Sequence, residues 1–165
     1  MSFRIAFAKQ SDVPEILNFI KDLAKFEKLE HEVKVTQEKL SESLFGPRKY
    51  AEVVFLEVSG VRAGFALFFH NYSTFLGQPG IYLEDLYVKP EFRGKGYGKA
   101  LLAFLAKTAV NRECGRLEWS VLNWNESAIE FYQSLGAKPM SEWTVQRLTG
   151  DELHTLAQLV TSTEL

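Results

Sequence analysis

A chain of 165 residues that is 46% hydrophobic and 13% aromatic can bury one sizeable core, which argues against two independent domains and for a single domain over 1–165. Nineteen basic and twenty-one acidic side chains leave a formal charge of -2, which excludes a strongly basic nucleic-acid binder and a charged, disordered chain. The charge is uneven: Lys89, Arg93, Lys95, Lys99, Lys107, Arg112 and Arg116 against Glu91 and Glu113 give the window 89–116 a charge of +5, and the remainder carries -7.

The elements alternate between strand and helix. Phe3 to Ala8 is a predicted strand. Asp12-Val13-Pro14-Glu15 has the layout of a capping box opening a helix, continued by Ile16, Leu17, Ile20, Leu23 and Ala24 with Lys21, Asp22 and Lys25 toward water. Thr36 offers an N-cap for a short helix through Leu44, closed by Gly46-Pro47. Ala51 to Val58 and Val61 to Phe69 form a hairpin about Ser59-Gly60. A loop with Asn71, Tyr72, Gly77, Pro79 and Gly80 leads to a strand from Ile81 to Val88.

That strand holds Glu84 and Asp85 among apolar neighbours. A carboxylate removed from water without a partner is costly, so at least one of them should face a cleft. A helix runs from the glycine loop at 93–99 to about Arg112, a strand from Arg116 to Leu122, a helix from Asn125 to Leu135 ended by Gly136, a last strand from Trp143 to Leu148, and a short helix from Asp151 to Val160.

Cys114 is the single cysteine, so no intrachain disulfide forms, and the start Met1-Ser2-Phe3-Arg4-Ile5 lacks the pattern of a signal or transit peptide. A cytoplasmic location is expected. No apolar run approaches the ~20 residues of a membrane span, so no membrane association is expected, nor a nucleic-acid partner. His31, His70 and His154 lack metal-ligand spacing, and no metal is expected. Cys114 reads as a buried small hydrophobe, and Trp119, Trp124 and Trp143 as core or interface residues.

Arg93-Gly94-Lys95-Gly96-Tyr97-Gly98-Lys99 lies between a strand and a helix, where backbone N–H groups and the helix dipole make an anion site. A Walker loop needs four residues before Gly-Lys and then Ser or Thr, whereas Lys99 is followed by Ala100. The dinucleotide fingerprint needs two residues before its last glycine, and Gly96-Tyr97-Gly98 has one. Alone, the loop is equally a tight strand-to-helix turn.

Its surroundings resemble the GNAT superfamily of acetyl-CoA-dependent N-acetyltransferases. Arg93, Gly96 and Gly98 match the Arg/Gln-x-x-Gly-x-Gly/Ala signature, Tyr82 to Pro90 is typical of the preceding strand, and Trp124 to Tyr132 with Leu135-Gly136-Ala137 matches a second signature. Leu23-Ala24-Lys25-Phe26-Glu27, Tyr72-Ser73-Thr74-Phe75 and Tyr82-Leu83-Glu84-Asp85 are similar to the diamine branch, which includes spermidine/spermine and thialysine acetyltransferases.

The resemblance implies an α/β (α+β) fold, a mixed, twisted sheet flanked by helices with splayed parallel strands forming an acetyl-CoA cleft. It implies that the backbone of Leu86, Tyr87 and Val88 lies along the pantetheine arm, that Arg93, Gly94, Lys95, Gly96, Tyr97, Gly98 and Lys99 hold the pyrophosphate, and that Asn125 contacts the pantetheine region. Glu84 is then the general base, since an alkyl amine with a pKa of about 10.4 arrives protonated. Tyr132 is the general acid for the departing thiolate. Phe26, Glu27, Glu84 and Asp85 are the implied amine contacts, although Asp85 points away from Glu84 on an ideal strand unless a bulge intervenes. Where spermidine/spermine enzymes tend to carry an acid, this chain reads Tyr72-Ser73-Thr74-Phe75, which favours shorter, lysine-like amines. A homodimer is implied, with Trp143, Val145 and Leu148 as apolar surface. Two rival functions share these motifs: acetylation of protein lysines or N-termini, and a non-catalytic acetyl-CoA-binding module.

Overall fold

The computed structural model describes residues 2–160 and contains a mixed five-stranded sheet in the order β1-β2-β3-β4-β5. The strands are β1 (Phe3–Phe7), β2 (Glu52–Val58), β3 (Val61–Ser73), β4 (Gln78–Val88) and β5 (Leu117–Trp119). The helices are α1 (Val13–Phe26), α2 (Gln37–Phe45), α3 (Tyr97–Asn111), α4 (Glu126–Ser134) and α5 (Gly150–Ala157). The chain packs as two compact units, one ending at Ser120 and one beginning at Val121. Met1 and 161–165, the ends of the single-domain reading, lie outside the described residues.

In the first unit, β1 to β4 pair antiparallel in sequence and β5 joins β4 in parallel. Phe65 of β3 packs its ring 5.0 Å from Phe19 of α1. A Cβ on its neighbour Gly64 would lie 3.4 Å from Leu101 of α3. Successive strand residues face opposite sides, so α1 and α3 cover opposite faces of the sheet. The α1 face holds Val13, Ile16, Phe19 and Leu23 with Leu40 and Leu44 of α2 and with Phe55, Phe65 and Tyr87 of the sheet. The helical apolar spacing in the sequence thus becomes the seam between α1, α2 and sheet.

Asp12 does stand at the N-cap of α1, but its side chain does not cap that helix. Its carboxylate accepts from the Lys9 backbone N–H at 2.7 Å and from Arg62 at 2.6 Å, while Glu15 accepts from the other Arg62 terminal nitrogen at 2.5 Å. The expected capping box is therefore replaced by an arginine clasp. One Asp12 oxygen takes the Lys9 amide and the other the Arg62 guanidinium from β3, a partner that no periodicity argument reveals. Thr36, in contrast, caps α2 by accepting from the Lys39 N–H at 3.3 Å.

The predicted loop around Asn71 to Gly80 is mostly ladder. Pairing continues through His70↔Ile81, Asn71↔Gly80, Tyr72↔Pro79 and Ser73↔Gln78, leaving only a short turn at Thr74 to Gly77. Gly80 makes this possible, because a Cβ there would sit 2.3 Å from the Asn71 side-chain oxygen. The strand expected over Arg116 to Leu122 is limited to Leu117–Trp119.

In the second unit, Trp143 to Leu148 forms no strand, a correction of the sequence reading. A strand exists through its ladder, and among the described residues from Val121 on none is paired. Trp143 and Val145 are 77% and 81% exposed, so the sequence's alternation there reflects no core burial. Trp124 is exposed as well. Cys114 is only partly buried, its sulfur 3.8 Å from His70 Nδ1.

Candidate active site

Ile81, Tyr82 and Leu83 pair with Leu117, Glu118 and Trp119, and there the parallel ladder stops. From Glu84 to Val88, β4 keeps β3 on one side and has no β5 residue opposite on the other. This half-open edge holds Leu86, Tyr87 and Val88, whose backbone has no β5 partner, although the Val88 carbonyl is taken by Arg93 Nε. Tyr87 is itself buried, with its ring 6.3 Å from Phe19, so only its backbone can serve that edge.

At the end of β4 a short 3-10 turn, Pro90–Phe92, leads to the glycine loop and α3. Gly94 and Gly96 have φ of 75° and 82°, the left-handed region that a side chain disfavours. Gly96 is the N-cap of a fifteen-residue helix, has no side chain to cap it, and is followed by no acid in the first turn. Amides such as those of Gly98 and Lys99 therefore have no intrahelical acceptor, and the helix dipole adds positive potential. Tyr97 anchors this end between Phe3 and Phe92, at 6.0 and 6.5 Å, so its ring is structural. Lys95 and Lys99 are exposed beside the loop. An open strand edge ending on an uncapped helix N-terminus with two lysines fits a ligand that is a long arm ending in phosphates.

The wider basic window is not one patch. Arg112 pairs with Glu52 at 2.6 Å, Arg116 with Glu118 at 2.7 Å, and the Lys89 ammonium lies 5.0 Å from the Phe19 ring. Arg93 donates from Nε to the Val88 carbonyl at 2.9 Å and stacks on Phe26 and Tyr87.

The acids form the other half. Leu67 pairs with Asp85 and the next residue, Phe68, with Leu83, so Glu84 is an extra residue in a β-bulge. The bulge brings the carboxyls of Glu84 and Asp85 close enough to repel, together with Glu27 at the C-terminal cap of α1. Burial, then the charges of Glu84 and Glu27, push the Asp85 carboxyl up to about 6. Burial first and Glu84 second raise Glu27. Glu84 is exposed on the strand. Phe26 is 44% exposed next to Glu27, its ring 6.5 Å from Tyr87. The arrangement is a cluster of acids beside the exposed Phe26 ring, and among the described residues no group of His, Cys, Asp and Glu is disposed to hold a metal.

In the second unit, Asn125 caps α4, its side-chain oxygen accepting from the Ala128 N–H at 3.4 Å. Tyr132 lies two turns further along that helix, on the same side, half-buried and 5.6 Å from Phe131. In the first unit, the sequence left the bulge at Glu84 open and gave no sign of the packing of Arg93. Two adjacent acids in an apolar strand were the one signal for the bulge.

The family model of the acetyltransferase (GNAT) family matches residues 15–137. L-ornithine N5-acetyltransferase of Arabidopsis thaliana is 35% identical over 204 aligned positions, which cover 96% of this chain and 90% of that protein. Thialysine N-epsilon-acetyltransferase of Mus musculus is also 35% identical, covering 94% of this chain and 98% of its own length. Among solved structures, an integron cassette protein from the V. cholerae mobile metagenome superposes with a TM-score of 0.80 at 25% identity, covering 96% of this chain and 99% of that one. GNAT enzymes use acetyl-CoA as cosubstrate, and the open β4 edge and uncapped α3 suit it; the chain belongs to the GNAT acetyltransferase family and is an N-acetyltransferase.

Proposed function

We propose that this protein transfers the acetyl group of acetyl-CoA to a primary amine of a small diamine, polyamine or lysine-like substrate, the thialysine type among them. The observation that carries this reading is the cluster of Glu27, Glu84 and Asp85, where burial first and mutual repulsion second raise Glu27 and Asp85, and a cationic ligand would relieve the repulsion. Ornithine and thialysine, the amines named for the two relatives above, are both short and cationic at neutral pH, and Tyr72-Ser73-Thr74-Phe75 supplies no further acid for a longer polyamine.

Acetyl-CoA supplies an activated thioester when bound. In this reading Leu86, Tyr87 and Val88 line its arm through their backbone, and Gly94, Lys95, Gly96, Tyr97, Gly98 and Lys99 hold its phosphates with first-turn amides and two ammonium groups. Glu84 accepts the proton that the amine must lose, directly or through water, and being exposed it can pass that proton to solvent. Tyr132 donates to the departing sulfur, and Asn125 orients the helix that carries it. Residues 1–165 act as one N-acetyltransferase domain, a reading supported by a family match that begins in the first compact unit and extends into the second as far as residue 137. A homodimer is supported by the exposed apolar side chains Met140, Trp143, Val145 and Leu148. One unpaired cysteine suits a cytoplasmic protein.

The test is release of free thiol from acetyl-CoA across spermidine, putrescine, lysine, ornithine, thialysine and an N-terminal peptide. Turnover should be highest for the short diamines and amino acids. Turnover confined to the peptide would replace this reading with protein acetylation, and none with any amine would leave a binding module.

A further inference from the structure

Arg93 occupies the first position of the anion-loop signature, yet its side chain turns away from the loop. Nε donates to the Val88 carbonyl at 2.9 Å, and the guanidinium carbon lies 4.8 Å from the Phe26 ring centroid and 5.2 Å from that of Tyr87. The two rings meet edge-on at 6.5 Å. A planar cation thus ties the last residue of α1 to β4, held in orientation by a backbone carbonyl.

The end of α1 needs such a tie. Lys28 has φ of 61°, the left-handed region, where a residue with a Cβ is strained by about 1 kcal/mol. Leu29 N–H reaches back to the Ala24 carbonyl at 2.8 Å and Glu27 N–H to Leu23 at 2.9 Å, so the helix closes through a non-glycine cap. Glu27 and Phe26 sit at that strained end. Arg93 reaches this end of the site through its contacts with the Phe26 and Tyr87 rings.

We propose that the Arg93 side chain is a positioning residue for the amine end of the site, clamping Phe26 and Glu27 onto Tyr87, and is not a ligand of the cofactor's phosphates. The proposal rests on the reading of Glu27 as an amine contact.

Arg93→Ala and Arg93→Lys separate the two roles, because lysine keeps the charge a phosphate needs but loses the plane and fork that stack and hold the carbonyl. In both variants the amine KM should rise by about tenfold, while the CoA dissociation constant, measured by calorimetry without amine, stays within about twofold. Hydrogen exchange at the Glu27 and Leu29 amides should quicken while β2 and β3 stay protected, which also reports that each variant is folded. A tenfold weaker CoA affinity in Arg93→Ala that Arg93→Lys restores overturns the proposal, as does unchanged exchange at the end of α1. If the unaltered protein acetylates no amine, the functional reading fails by itself, and the CoA and exchange measurements still decide the clamp.

Discussion

Leu83 and Asp85 stand two residues apart on β4 yet face opposite sides of the sheet, because Glu84 between them has no partner on β3. Leu83 lies opposite Phe68, on the α3 face, whereas Asp85 lies opposite Leu67 on the α1 face with Tyr87. In a regular strand Asp85 would share the Leu83 side and enter the α3 core. The bulge therefore turns a carboxyl that would have been buried alone into a member of an acidic cluster.

A carboxyl held at about 6 binds more protons in the folded state than in the unfolded chain between its ordinary value of 3.8 and 6. Its contribution is most favourable below that window and is lost as pH rises through about 6. Asp85→Asn should accordingly stabilise the protein by about 3 kcal/mol at pH 8 and by little at pH 4. Thermal melts across that range check it, and a pH-independent difference rejects it.

Glu84→Gln keeps the shape of the bulge and removes the proposed proton acceptor. The expected kcat loss is about a hundredfold or more, with the acid limb of the pH–rate profile abolished. Turnover and profile like those of the unaltered enzyme would assign the base elsewhere.

For Tyr132→Phe, kcat should fall while the CoA dissociation constant is retained, because only the hydroxyl of a half-buried ring is lost. Stopped-flow or single-turnover measurement with a good amine separates this from slow product release. An unaltered kcat removes the general-acid role.

Gly96→Ala places a Cβ where nothing lies within 4 Å, so its effect is conformational and not steric. The φ of 82° costs an alanine about 1 kcal/mol, and relaxing it reorients the first-turn amides of α3. The acetyl-CoA KM should rise several-fold with a small drop in Tm. A lower Tm with an unchanged KM would place the phosphates elsewhere.

Arg62 is held by Asp12 at 2.6 Å and Glu15 at 2.5 Å, with its guanidinium 4.2 Å from the Phe55 ring centroid. Arg62→Ala leaves these acids unpaired and should destabilise by about 1–3 kcal/mol with kcat unchanged for the folded enzyme. Denaturant titration gives the first quantity. A loss below about 0.5 kcal/mol would mark the clasp as an ordinary surface ion pair.

The sequence showed most where structure is local. Helical spacing located α1 and α3, Thr36 and Asn125 marked helix starts, and Gly94 and Gly96 announced backbone that other residues disfavour. It erred where partners lie far along the chain. Asn71 and Gly80 look like loop residues and are ladder partners, Asp12 looks like a cap and is an arginine's counterion, and Trp143 to Leu148 looks like a strand but has no ladder. The +5 window, read as one anion-binding surface, divides into ion pairs at Arg112 and Arg116, a stacked Arg93 and two lysines at the loop.

By itself the sequence determined the glycine loop between strand and helix, the order of the elements as far as α4 and the family to which they belong, because these depend on residue type and spacing. Only the tertiary structure decided which charges meet. It set the register that makes Glu84 a bulge, raised Asp85 through burial beside Glu27 and Glu84, and turned Arg93 toward Phe26 and Tyr87. The reason is physical: a charge's role depends on the dielectric and the partners around it, and those come from residues tens of positions away.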